Sequence, residues 1–303
     1  MDTVFMGTPE IAVPALRALA AATTVRQVVT QPDRPAGRGN KLHPPAMKLA
    51  AQELGIPVWQ PESLKGAEDD KRLRADIIVV MAYGALLRQP LLDRPRLGCV
   101  NLHASLLPRW RGASPLQAAI RAGDPVTGVS VMRMVRGLDA GPVFLRRELP
   151  LHPRVTLPEL HDAMAICAAE ALTEFLRDPS RPAVPQDEGA VTICRKLVDN
   201  DGQLDFTRDA LELDRWVRAY VPAPGCWAMA HYATGEPLRL RVLAGEARDV
   251  DAGTAGSAHV LADALLVGCG RGAFAITRLQ LPGGKPLSAA DFLRGHRAPV
   301  RLG

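Results

Sequence analysis

The 303-residue chain is poor in aromatics. Phe, Trp and Tyr together make up 4 % of it, so aliphatic side chains must fill whatever core it builds. Cysteine is sparse and unpatterned: Cys99, Cys167, Cys194, Cys226 and Cys269 form no C-x-x-C and no metal-ligand spacing. An odd, scattered set reads as reduced thiols of a cytoplasmic protein and excludes a disulfide framework or a zinc site. No apolar run approaches the roughly 20 residues of a membrane helix. The chain opens on Asp2-Thr3-Val4-Phe5-Met6-Gly7, which reads as a first strand with no basic leader before it. Two signatures are missing as well. Without G-x-G-x-x-G the usual dinucleotide site is unsupported, and without G-x-S-x-G there is no hydrolase nucleophile elbow. Charge is only mildly lopsided: 37 Lys and Arg oppose 32 Asp and Glu, a net +5. That permits a polyanionic partner without requiring one.

What is present is a long alternation of apolar strand signals and helical signals. Strands are expected at 3–6, 25–30, near 58, 76–81, 98–102, 128–134 and 142–149. Helices are expected from Pro9 to about 21, up to 54, at 114–121 behind Ser114 and Pro115, and at 156–176. Residues 76–81 are nearly all apolar, as in a strand covered on both faces. Residues 31–45, rich in Pro, Gly and basic side chains, read as a loop. The pattern predicts a doubly wound α/β domain. Three prolines within 178–185 then suggest a linker. Beyond it come a helix at 207–219 behind a Ser/Thr-type cap and several short strands, at 226–232, 238–243, 259–261, 264–267 and 273–281. Closely spaced short strands suggest a small β-barrel. Gly268-Cys269-Gly270-Arg271-Gly272 looks superficially like a phosphate loop but fits better as the turn between two of these strands. The expected division is 1–182, a linker at 183–203 and 204–303.

Chemistry concentrates in Asn101-Leu102-His103-Ala104-Ser105-Leu106-Leu107-Pro108-Arg109-Trp110-Arg111-Gly112. Asn101 and His103 stand two apart at the end of an apolar strand, so both leave the same face. A rigid basic turn follows. Downstream, Gly137-Leu138-Asp139-Ala140-Gly141 offers a carboxylate between glycines. A single His or a turn Asp is more often structural, but together an amide donor, an imidazole and a carboxylate are the parts needed to move an acyl group onto an amine. A Ser105-His103-Asp139 triad is the rival. Ser105 lies too close in sequence to His103 on one short segment to reach it comfortably. Met81-Ala82-Tyr83-Gly84 ends a central strand, where open α/β sheets place their ligands. From 32 to 48, Arg34, Arg38, Lys41 and Lys48 oppose only Asp33, and glycines give this stretch the freedom to follow a phosphate backbone. Lys285, Arg294, Arg297 and Arg301 make a second basic stretch against Asp291.

These segments, with Gly7-Thr8-Pro9, Pro95-Arg96-Leu97-Gly98, Gln186-Asp187-Glu188 and Lys285-Pro286-Leu287-Ser288-Ala289, make the chain resemble the methionyl-tRNA formyltransferases over nearly its whole length. The Asn-x-His block with a later Asp marks the wider set of enzymes that use 10-formyltetrahydrofolate. Residues 31–39 point to the tRNA enzyme. Met6 before Gly7 and the Pro222-Ala223-Pro224-Gly225 turn depart from the family pattern outside the catalytic block. The resemblance implies a Rossmann-like folate-binding domain followed by an OB-like tRNA-binding domain, in a cytoplasmic monomer. It implies formyl transfer from 10-formyltetrahydrofolate to methionyl initiator tRNA, with Asn101, His103 and Asp139 catalytic and no metal. Folate contacts are expected at Ser105, Leu106, Leu107, Pro108, Met81, Ala82, Tyr83 and Gly84, and tRNA contacts at Arg34, Arg38 and Lys41. A formyltransferase acting on an amino-sugar nucleotide and a formyl-folate hydrolase are the alternatives, and neither has a use for the basic loop.

Overall fold

The structure is a computed structural model that describes residues 1–36 and 41–303. The chain divides into two compact units. The first comprises 1–115, 126–151 and 160–194; the second comprises 116–125, 152–159 and 195–303.

The first unit runs β1 (Asp2–Gly7), α1 (Val13–Ala22), β2 (Thr24–Val29), β3 (Arg34–Ala36), β4 (Lys41–His43), α2 (Ala46–Glu53), β5 (Val58–Trp59), β6 (Ile77–Met81), α3 (Gln89–Leu92), β7 (Cys99–His103) and β8 (Arg111–Gly112). After α4 (Pro115–Ala122), most of which counts with the second unit, come β9 (Val126–Arg133), β10 (Val143–Pro150), α5 (Leu157–Leu176) and β11 (Ile193–Cys194). The main sheet has the order β10-β9-β7-β6-β1-β2-β5. β5, β2, β1, β6 and β7 are parallel, and β9 is reversed between β7 and β10. β6 is buried along its whole length, which accounts for its unbroken apolar sequence. The chain lays strands outward from β1 to β5 and then returns to β6 on the other side of β1. The carboxyl ends of β1 and β6 therefore flank the point where the winding reverses, the usual ligand crevice of such sheets.

Three local expectations change. The helix after Pro9 begins with a short 3-10 turn at Glu10–Ala12, and α1 starts only at Val13. The expected loop at 31–45 contains a hairpin, with Arg34 opposite His43 and Ala36 opposite Lys41. The proline-rich stretch is no free linker. Val184 exchanges both backbone hydrogen bonds with Val143 at 2.8 Å, adding a bridge to β10 at the sheet edge. Val184 lies between two prolines but has its own N–H, so it can both donate and accept there.

The second unit adds α6 (Ala210–Tyr220), β12 (Cys226–His231), β13 (Leu238–Arg248), β14 (Ala258–Val260), β15 (Leu265–Gly268), β16 (Ala273–Gln280), β17 (Pro286–Ser288), α7 (Ala289–Gly295) and β18 (Arg301–Leu302). Its antiparallel sheet runs β14-β15-β16-β13-β12-β18. The two ends meet: Ser257 bridges Arg301, Ala258 donates to Val300 O at 3.1 Å and Leu302 to Gly256 O at 2.8 Å. Closure in this way produces a near-barrel and removes open edges. Alternation along β12 follows the same logic, with Cys226, Ala228 and Ala230 facing inward. α6 starts later than expected, because its cap is Asp209, which accepts from Leu211 N, while Thr207 turns to Asp205. Residues 268–272 form the hairpin turn between β15 and β16, closed by Cys269 N to Gly272 O at 3.0 Å. Among the described residues no helix is long and apolar enough to cross a membrane.

Candidate active site

β7 carries Asn101 and His103 to the carboxyl end of the sheet, between β6 and β9. Their shared face follows from the two-residue period of a strand. His103 is 6 % exposed. Its Nε2 lies 2.9 Å from Trp110 O, and its Nδ1 lies 3.6 Å from Asp139 Oδ2. Both ring nitrogens thus face oxygen atoms that can accept a hydrogen bond. The Asn101 carboxamide, half-buried beside it, makes no hydrogen bond among the described residues. Its NH2 hydrogens are unused there.

The turn after β7 is built to bring Trp110 and Gly112 back to this point. Ser105 Oγ donates to Arg109 O at 2.6 Å, and Arg109 N donates to Leu106 O at 3.1 Å. Ser130, fully buried on β9, clamps the same turn: Leu107 N donates to its Oγ, which donates to Ser105 O. Arg146 Nε holds Leu107 O at 2.7 Å. The Ser105 hydroxyl proton is therefore engaged inside the turn and is not directed at His103, which removes the triad. Trp110 then adopts φ +61°, and β8 pairs with β11. Gly112 N donates to Asp139 Oδ2 at 2.9 Å. At φ +119°, a Cβ on Gly112 would lie 2.1 Å from Cys194 O, so glycine is required. Asp139 itself sits at φ +47°, a left-handed conformation that is strained for a residue with a side chain.

Asn101, His103 and Asp139 are thus brought together. The residues expected to touch folate differ in exposure. Met81, Tyr83, Ser105 and Leu107 are buried, while Leu106 and Pro108 are half-buried. The side chains of Met81 and Leu107 are buried in the core. Ala82 at φ +49° and Gly84 at φ +85° are exposed and turn the chain sharply at the end of β6. Thr8 Oγ1 ties this turn to β1 by donating to Tyr83 O at 3.0 Å. Burial pushes the Tyr83 phenol up from its ordinary value. A cavity of about 310 Å³ opens nearby, lined by Gln31, Leu64, Tyr83, Ala85, Leu86 and Leu91 among others, but by none of the three polar residues above.

The basic stretch is less uniformly available than its composition suggests. Lys48 Nζ pairs with Asp33 at 2.7 Å, and Gln60 donates to the same carboxylate. Those bonds hold the Asp33 carboxyl below the usual carboxylate range. Arg34 is exposed on β3. Arg38 and the side chain of Lys41 lie outside the described residues.

Three residues around Asp139 had no role assigned from sequence. Arg111, 5 % exposed, donates from Nε to Gln186 Oε1 at 3.0 Å and pairs with Glu188 at 2.7 Å. Gln186 Nε2 donates to Asp139 O and Gly141 O. The hydrogen bonds from Arg111 lower the Glu188 carboxyl pKa. Gln186-Asp187-Glu188 enters the sequence reading only as one of the segments that carry the resemblance, and its partners are about 45 to 77 positions away, beyond any local pattern.

Comparison with known proteins shows the family of the chain. Residues 3–176 match the family described as formyl transferase, and residues 196–297 match its C-terminal domain. The chain is 46 % identical over 303 residues to a methionyl-tRNA formyltransferase of Rhizobium etli, covering 97 % of this chain and 96 % of that one. It is 48 % identical over 321 residues to one from Chromohalobacter salexigens, covering 100 % and 97 %. Among solved structures, an N-formyltransferase from Helicobacter canadensis, in complex with folinic acid and dTDP-3-aminofucose, superposes with a TM-score of 0.66 at 13 % identity, over 90 % of this chain and 97 % of that one. HypX from Aquifex aeolicus, in complex with tetrahydrofolic acid, gives 0.61 at 18 % identity, over 98 % and 48 %. At such identities these two structures speak for the fold alone.

Proposed function

This chain belongs to the methionyl-tRNA formyltransferase family, and from that premise we propose that it moves the formyl group of 10-formyltetrahydrofolate onto the α-amino group of methionine esterified to initiator tRNA. The products are formyl-methionyl-tRNA, used to begin translation, and tetrahydrofolate. The observation that carries the reading is His103, held between Trp110 O and Asp139 beside the unused carboxamide of Asn101.

The neutral amine attacks the formyl carbon, forming a C–N bond and driving the carbonyl electrons onto oxygen. Asn101 donates to that oxygen as its charge grows. For His103, donation means exchanging the neutral Trp110 carbonyl for an anionic acceptor, which is the stronger partner. The gain exists only once charge has developed, so it favours the transition state over bound substrate. Asp139 orients the imidazole and accepts the proton shed by the attacking nitrogen, directly or through a water. Collapse then breaks the bond to N10, which takes up that same proton, handed on by Asp139 directly or through the water, and leaves as the neutral amine.

Folate is placed against residues 105–108 and the 81–84 turn, the latter through Ala82, Gly84 and backbone groups. Arg34, Arg38 and Lys41 meet the tRNA phosphates, and the near-barrel unit adds further tRNA contacts. The working division is a catalytic domain at 1–182, a connection at 183–203 and a tRNA-binding domain at 204–303, in a cytoplasmic monomer. The test is transfer from labelled 10-formyltetrahydrofolate to methionyl initiator tRNA compared with methionyl elongator tRNA. Labelling of the initiator alone is expected. Turnover of the donor with neither tRNA labelled would mean that the chemistry is right and the acceptor wrong.

A further inference from the structure

We propose that Gln186 is a positioning residue for formyl transfer, setting the place of the Asp139 carboxylate without touching substrate. The proposal rests on the role given to Asp139 above.

Asp139 holds a left-handed backbone that a non-glycine residue keeps only when its surroundings over-determine it. Two contacts do so. Gly112 N fixes the carboxylate at 2.9 Å, and the Gln186 amide fixes the backbone. Nε2 of Gln186 donates to Asp139 O at 2.8 Å and to Gly141 O at 2.7 Å, spanning the turn through its backbone. The amide cannot turn over. Arg111 Nε donates to Oε1 at 3.0 Å, so a flipped amide would set its NH2 against the guanidinium and its oxygen against two carbonyls. Arg111 is in turn aligned by Glu188 through two contacts, at 2.7 and 3.2 Å. Gln186 is 8 % exposed, so water cannot readily replace the bonds it makes. The two residues next to Arg111 in this chain of contacts also belong to the site: Trp110 supplies the acceptor for His103, and Gly112 the donor for Asp139. One network therefore sets both ends of the His103–Asp139 pair.

The test is Gln186→Glu. A carboxylate at this position keeps the volume and strengthens the contact to Arg111, but cannot donate to the two carbonyls. We expect kcat for transfer to fall by about 10²-fold, the cost of misplacing a catalytic group by roughly 1 Å. KM values for methionyl-tRNA and folate should stay within about twofold. Gln186→Asn, with an amide one methylene shorter, should recover part of the loss, and thermal melts of all variants report folding. A drop confined to kcat in a folded Gln186→Glu protein supports the proposal. Unchanged kcat, or a loss that appears only in KM or only with a lowered melting temperature, overturns it. Asp139→Asn is measured in parallel. Full activity in that variant would instead refute the role of Asp139, and the proposal would fall with it.

Discussion

Gly112→Ala separates space from backbone conformation at the catalytic turn. An added Cβ lies 2.1 Å from Cys194 O, whereas real Cβ contacts begin near 3.0 Å, so β8 and β11 must part by roughly 1 Å. Cys194 O already accepts from Ala113 N at 3.0 Å, and that bond is lost as the strands separate. Losing one such bond costs about 0.5–1.5 kcal/mol. Placing alanine at φ +119° adds about 1–3 kcal/mol of strain. The expected destabilisation is therefore about 1.5–4.5 kcal/mol. The same displacement carries Gly112 N away from Asp139 Oδ2, and a shift of about 1 Å is expected to slow transfer by about 10²-fold. Gly55→Ala is the control, since its φ is +68° but nothing stands within 4 Å of its Cβ. It should lose only the left-handed penalty of about 1–2 kcal/mol and no activity. Urea unfolding and single-turnover formyl transfer measure the two quantities. A Gly112→Ala protein no less stable than Gly55→Ala, with transfer within about twofold of wild type, would refute the steric argument.

Both His103→Ala and Asp139→Ala should abolish transfer while leaving tRNA affinity nearly intact; loss of tRNA binding in both would break the separation of catalysis from recognition. Arg38→Ala should weaken transfer to tRNA without weakening folate binding, and an unchanged kcat/KM would remove residues 32–48 from the mechanism. Burial pushes the thiols of Cys99 and Cys226 up to about 12 and that of Cys269 to about 11. Raised values mean that the folded chain keeps protons the unfolded chain releases. The contribution is thus fully present below the ordinary thiol range near 9 and declines as pH rises toward 11–12. Chemical denaturation from pH 8 upward should show stability falling, less steeply once Cys99 is replaced by Ala; a flat alkaline limb contradicts this. At neutral pH a thiol reagent should label none of the three until the protein unfolds.

The legibility of the chain varied with the range of the interactions involved. β6 was readable because a strand covered on both faces must be apolar throughout, and β7 because its polar pair keeps a two-residue period. The barrel strands were readable from their glycine and proline punctuation. The hairpin at 34–43 was not, because Pro35 and the basic residues mask any alternation over three-residue strands. The start of α6 was missed because Asp209, not Thr207, lies where its oxygen reaches the second helical N–H.

The order of residues by itself determined which chemical groups were available: the carboxamide and imidazole that one strand must point the same way, and the carboxylate between two glycines. Tertiary structure alone decided what those groups face. The ring of His103 meets the Trp110 carbonyl and Asp139, Ser105 turns into its own loop, Lys48 is neutralised by Asp33, and Gln186 reaches back to the Asp139 turn. Most of these contacts join segments 15 to 47 positions apart, and the local ones depend on a turn that distant strands hold in place. Period and propensity act over a few residues. Hydrogen-bond partners across that distance are selected only when the sheet closes and every buried donor must find an acceptor.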